Sequence, residues 1–175
     1  MNLNGNPKAE EAFWLLNSFV GDIIGAERSL GIIQSPGARK YLNEQMVFVL
    51  TRMLLMNLVL NLARLAEFYE HYRAIIPESQ AGQFKKLYKD IQARRIRSFR
   101  NSYVGHIWDK ERKRPLNSRE IDSALAAIFS NAPSDFFSWI NEPRTNNIGQ
   151  TVAGIVERTR DELQKLYAIS GVASS

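Results

Sequence analysis

Apolar residues recur every three or four positions through most of the chain, and no segment alternates with the period of two that a half-buried strand needs. Phe13, Leu16, Phe19, Val20, Ile23 and Ile24 set out a first helix over about 8–33, with Pro7 in its first turn and Glu10 and Glu11 complementing its N-terminus. Gly21, Gly25 and Gly31 each lower helix propensity, so they predict close contact with a neighbouring helix or fraying beyond Gly31. Ser35-Pro36-Gly37 is a turn. A second helix follows over about 38–75, apolar nearly all round from Met46 to Leu65. Arg52, Asn57, Asn61 and Arg64 interrupt that stretch, whereas a membrane span needs about 20 mostly apolar residues. An all-round apolar helix of this kind reads as the central member of a bundle or as a dimer face.

Pro77 closes the second helix. A third begins near Ser79 or Gln83 and is expected to run toward Trp108, its stripe being Phe84, Leu87, Tyr88, Ile91, Ile96, Phe99, Tyr103 and Ile107. A charged loop spans Asp109 to Pro115, after which Asn117 or Ser118 can cap a helix burying Ile121, Leu125 and Ile128 and ending by Pro133. A short aromatic helix at 135–140, a polar loop at 141–147 and a last helix over about 149–169 complete the chain. The expected fold is all-α: an antiparallel bundle of four main helices with one or more short extra helices. It forms one domain over 1–175, with 1–6 and 170–175 frayed.

Composition narrows the chemistry. Cysteine is absent, which excludes disulfides and thiolate metal sites and fits a reducing compartment. Residues 1–8 lack an apolar core behind a positive cluster, so no signal peptide is expected and the protein reads as cytoplasmic, with no membrane partner. Glu67 and His71 stand one helical turn apart, but the spacing does not make the Glu-x-x-His of di-iron bundles, so His71 reads as a surface residue at a helix end. No P-loop, dinucleotide-binding turn, His-Glu-x-x-His or nucleophile elbow occurs, so neither metal nor cofactor is expected. The charge is uneven. Residues 85–119 hold 12 Lys and Arg against three acids, a net of +9, in a chain whose total is +5. Such a segment suits a polyanion.

At its centre lies Arg100-Asn101-Ser102-Tyr103-Val104-Gly105-His106. Histidine titrates near neutrality and can move a proton. Arginine offers a planar donor fork for a phosphate and its transition state. Arg100-Asn101-x4-His106 resembles the R-x(4–6)-H signature of the HEPN superfamily, small helical domains found in toxin–antitoxin, abortive-infection and CRISPR-associated ribonucleases. Asn101 matches the polar residue that often follows the arginine, and Gly105 the small residue before the histidine. The resemblance implies a metal-independent endoribonuclease in which the 2′-hydroxyl attacks the adjacent phosphorus. Arg100 and His106 would be catalytic, and Asn101 would orient the phosphate or His106. RNA would be the substrate, and a cognate antitoxin a further partner. Arg94, Arg95, Arg97, Tyr103, Lys110, Arg112, Lys113 and Arg114 are the candidate nucleic-acid-binding residues. On an ideal helix six residues turn about 600°, so Arg100 and His106 would point about 120° apart. Loosening at Gly105, a long reach by Arg100, or a site shared by two chains would reconcile them, and the last fits the homodimers common in the superfamily. Three other readings remain open: a surface arginine beside a helix-end histidine, a module that binds nucleic acid or nucleotide without cutting it, and a partner-binding protein using the Met46–Leu65 face.

Overall fold

A computed structural model describes residues 6–104, 108–109, 114–115, 117–129, 133–142 and 148–169. The first helix, α1 (Pro7–Gln34), starts where the Asn6 side chain accepts hydrogen bonds from the backbone N–H groups of Lys8 (3.1 Å) and Ala9 (3.2 Å), with Pro7 as its first residue. It does not fray after Gly31. Nor do its glycines serve close packing, since a Cβ at Gly21, Gly25 or Gly31 would meet nothing within 4 Å. The turn at Ser35-Pro36-Gly37 leads through a short 3₁₀ segment, Ala38–Lys40, into α2 (Glu44–Tyr72). That helix starts later than its apolar pattern suggests because the Asn43 side chain accepts from the Met46 N–H at 2.8 Å and fixes the cap there.

The helix α3 (Glu78–Ala93) is shorter than the sequence pattern implies. Instead of running on to Trp108, the chain breaks at Arg94–Arg95, where Arg95 takes the left-handed conformation (φ 56°). A single short turn, α4 (Ile96–Phe99), then passes into a π-helical turn, Arg100–Val104. Trp108–Asp109 (β1) and Arg114–Pro115 (β2) form a small antiparallel ribbon, pairing Trp108 with Pro115 and Asp109 with Arg114, which the apolar pattern does not announce. Next come α5 (Ser118–Phe129), α6 (Pro133–Ile140) and α7 (Val152–Tyr167). At the start of α5 the Asn117 and Glu120 side chains each accept the other's backbone N–H at 3.0 Å, a reciprocal cap.

The protein is an all-α antiparallel bundle. Its four main members are α1, α2, α3 and α7: α1 packs on α2 and α7, and α3 closes the ring against both α2 and α7. The α4–α6 region is inserted between α3 and α7. Leu16, Ile23, Leu62, Leu65, Phe84 and Leu163 are buried at the centre. Phe68 ties three helices together, meeting Phe19 of α1 edge-on at 6.1 Å, Tyr72 of its own helix at 4.8 Å and Phe84 of α3 at 5.7 Å.

The two long helices have 28 and 29 residues, about 42 Å each, against 16 residues and about 24 Å for α3 and α7. They therefore project beyond the other pair as a two-helix arm. The buried residues of α2 begin at Leu58, so the central-helix reading holds for its C-terminal half and not for Met46–Asn57. By length and composition Glu44–Tyr72 is also the one helix among the described residues apolar enough to cross a membrane.

Candidate functional site

The break at Arg94–Arg95 decides where the basic residues go. Arg94 turns inward. Its guanidinium lies 4.5 Å from the Trp139 ring centre and 5.5 Å from that of Phe136, and it donates to the Ile128 carbonyl at 3.2 Å. Cation–π stacking and a backbone hydrogen bond commit it to holding α6 and α5 against the α3–α4 junction, and away from a free basic surface. Arg95 is exposed and makes no ion pair among the described residues. Arg97 donates to Glu70 Oε1 at 2.5 Å. Arg114 forms a two-point pair with Glu120, Nη1 to Oε2 at 3.0 Å and Nη2 to Oε1 at 2.5 Å.

Arg100 opens the π-helical turn, a wider coil with i→i+5 bonding that recurs at functional sites. Its Nη2 donates to Glu67 Oε1 on α2, while its Nε is buried and has no partner. The side chains of Arg100 and Glu67 are 27% and 34% exposed, so the pair lies at the rim of the bundle and not in its core. One turn along α2, Glu70 Oε1 also accepts the Tyr88 hydroxyl at 2.8 Å. That hydrogen bond first, and Arg97 after it, holds the Glu70 carboxyl below its ordinary value despite some opposing burial. The same bond, reinforced by burial, pushes the Tyr88 phenol up. Glu67, Glu70, Tyr88, Arg97 and Arg100 thus form one polar strip where α2, α3 and α4 meet.

The structure brings Arg97 and Arg100 together here and sends Arg94 elsewhere. Asn101 is exposed on the π turn. Gly105, His106, Lys110, Arg112 and Lys113 lie outside the described residues, as does the side chain of Tyr103. Sequence reasoning did not single out Lys85, Lys86 and Lys89. All three stand exposed on the outer face of α3, one to four residues apart, and form no ion pair among the described residues. Their signal was the i, i+1, i+4 spacing, which puts Lys85 and Lys89 on one helical edge where like charges repel unless an anion lies over them. No group of three or more metal-ligating side chains occurs among the described residues.

No protein-family model matches the chain, and no curated protein sequence does. In fold it is similar to an integron cassette protein, Vpc_cass2, from the mobile metagenome of V. paracholerae, with a TM-score of 0.75 over 91% of this chain and 97% of that one. At 20% identity the likeness is one of fold alone.

Proposed function

We propose that the protein is a metal-independent endoribonuclease of the HEPN type, acting in the cytoplasm as a toxin or defence factor on RNA, with Arg100 and His106 as its catalytic pair. The observation that supports this reading is the placement of Arg100. It sits on a π-helical turn at the molecule's rim, against α2, and its partner Glu67 leaves one guanidinium nitrogen unsatisfied. A rim ion pair contributes little, so a phosphate can displace Glu67 cheaply and use both edges of the fork. His106 then moves the proton, first from the 2′-hydroxyl or to the leaving oxygen. Attack of the 2′-oxygen on phosphorus breaks the bond to the 5′-oxygen and leaves a 2′,3′-cyclic phosphate and a 5′-hydroxyl. Asn101, exposed one residue on, orients the phosphate or the imidazole. The remaining cations, Arg95, Lys110, Arg112 and Lys113, hold the backbone without regard to sequence. Two copies sharing one cleft would supply a second motif, and an antitoxin would silence it.

The test is single-stranded RNA incubated with purified protein in EDTA, with product ends identified. His106→Ala is expected to lose at least about 10² in rate. Arg100→Lys is expected to be poor as well, because an ammonium lacks the planar fork. Cleavage only with added Mg²⁺, or equal cleavage by His106→Ala, would replace this mechanism with the second reading, a module that binds nucleic acid without cutting it. That reading draws on Lys85, Lys86 and Lys89, which can hold phosphates with no chemistry at all.

A further inference from the structure

Arg100 does not present an open fork. Its Nη2 donates to Glu67, and in that pose its Nε stays buried without a partner, so only part of the guanidinium is on offer. An anion that takes Arg100 strips Glu67 of its counter-ion and leaves two like charges side by side, which opposes binding. The cation that receives Glu67 therefore decides how readily the fork opens. Two residues of α2 stand on the same side of the helix. Arg64, three residues before Glu67, is already engaged: its guanidinium lies 5.6 Å from the Phe19 ring centre and its Nη1 donates to Asn61 Oδ1 at 3.4 Å. His71, four residues after Glu67 and only about 40° further round the helix, is exposed, and its imidazole makes no hydrogen bond or ion pair among the described residues. A carboxylate four residues ahead of a cation is also the more favourable order on a helix.

We infer that Glu67 and His71 are positioning residues of an anion site at Arg100: an arriving phosphodiester takes the guanidinium, Glu67 passes to His71, and His71 takes up a proton from solvent to receive it. The inference rests on the reading of Arg100 as the residue that binds phosphate. Affinity is then highest when His71 carries its proton, and it falls as pH rises through the range where histidine gives that proton up. The surroundings favour the exchange. His71 stands in the last turn of α2, where the exposed carbonyl ends of the helix favour a cation. The other charged and titratable groups around it have their own partners. Glu70 accepts from Tyr88 of α3 and from Arg97 of α4. On the α1 side, Tyr72 donates to Glu11, and the Lys8 ammonium lies 5.6 Å from the Tyr72 ring centre. Arg73 stands about 200° round the helix from His71, on another side. The His71 charge already acts on this strip: the Tyr88 hydroxyl first, then Arg97, and last His71 hold the Glu70 carboxyl below its ordinary value.

The test uses the full chain carrying His106→Gln, in which His71 is the one histidine left. The ligand is thymidylyl-(3′→5′)-thymidine, a single phosphodiester of constant charge with no 2′-hydroxyl to react. Binding is read from the amide NMR shifts of Arg100 and Asn101. Affinity is expected to fall about two- to fivefold between about pH 5.5 and about pH 8.5, the range of an exposed ion pair. Adding His71→Lys, a permanent cation, should keep the low-pH affinity at the upper pH, which a merely structural side chain would not do. Adding His71→Gln should leave affinity weak and independent of pH. Adding Glu67→Gln should leave it strong and independent of pH, because no carboxylate then competes for the fork. Affinity that ignores pH before these additions overturns the inference, and so does the absence of any shift at Arg100. A pH dependence that survives Glu67→Gln overturns it as well, since His71 would then meet the ligand directly. If wild type cuts RNA in EDTA while affinity ignores pH, the ribonuclease reading stands without this exchange. If affinity follows pH as described and wild type cuts nothing, the anion site stands as part of a binding module.

Discussion

At the scale of single residues, stability and proton binding turn on backbone positions and one shared hydrogen bond. Gly21 and Gly25 lie in the interior of α1 with open space where a Cβ would stand. Each costs the helix about 0.5–1 kcal/mol relative to Ala. Gly21→Ala/Gly25→Ala is therefore expected to gain between ~1 and ~2 kcal/mol, read as a higher denaturation midpoint with unchanged slope. Arg95 is the opposite case. A left-handed non-glycine residue is strained, so Arg95→Gly should fold at least as stably as wild type, and the β-branched Arg95→Val should be worse by about 1 kcal/mol or more. The Tyr88–Glu70 bond predicts a pH profile. Glu70's folded pKa lies below its ordinary 4.5, so its contribution is complete above that pH and lost as pH falls through the folded value. Tyr88's lies above its ordinary 10.0, so its contribution is complete below that pH and lost as pH rises through the folded value. Tyr88→Phe should flatten both flanks of the stability profile and cost at most about 1 kcal/mol between them, since Glu70 is exposed. A profile for Tyr88→Phe parallel to wild type at both ends would refute the assignment. Pro7 and Asn117 were legible as helix-start residues because capping acts within four positions. The partners of Arg100 and Glu70 were not, since Glu67 stands 33 residues from Arg100 and Tyr88 18 from Glu70.

At the scale of elements, periodicity located α1, α6 and the start of α5 to within about two residues, because each has one uninterrupted apolar stripe. It failed on α3. No glycine or proline stands at 94–95, and the apolar stripe continues through Ile96 and Phe99. What ends the helix is tertiary: Arg94 is drawn onto Trp139 and the Ile128 carbonyl, from segments that follow it in the chain. The site inherits that failure, because a continuous helix would have left Arg94, Arg95, Arg97 and Arg100 winding round one cylinder. The break separates them into one packing arginine, one exposed arginine and two paired with α2. The outer face of α3 then becomes the main basic surface among the described residues. Lys85→Gln/Lys86→Gln/Lys89→Gln is expected to weaken RNA binding about equally across sequences and to lower the slope of log affinity against log salt by about 2, about 0.7 per lost phosphate contact on a single strand. Arg94→Gln should instead leave that slope unchanged and lower the melting temperature. If the triple variant binds with wild-type salt dependence, α3 is merely a solvated face.

At the scale of the whole molecule, α2 is one helix in two surroundings. From Leu58 onward it is enclosed by α1, α3 and α4, and Leu58, Val59, Leu62 and Leu65 are fully buried. Before Leu58 it contributes no fully buried residue: Leu54, Leu55 and Met56 pack half-buried against the core, and Arg52 reaches Asp122 of α5. The apolar pattern from Met46 to Leu65 continues on both sides of this boundary, so sequence alone could not place it. It depends on α3 and α7 being about 18 Å shorter than their partners. Local opening follows burial more than helix membership. Amide exchange should therefore step along α2, with residues 60–68 slower than 46–54 by at least about tenfold, or 1.4 kcal/mol. Uniform protection along α2 would mean that the half before Leu58 is held as firmly as the half whose residues are buried, and burial would then not set local opening in this helix.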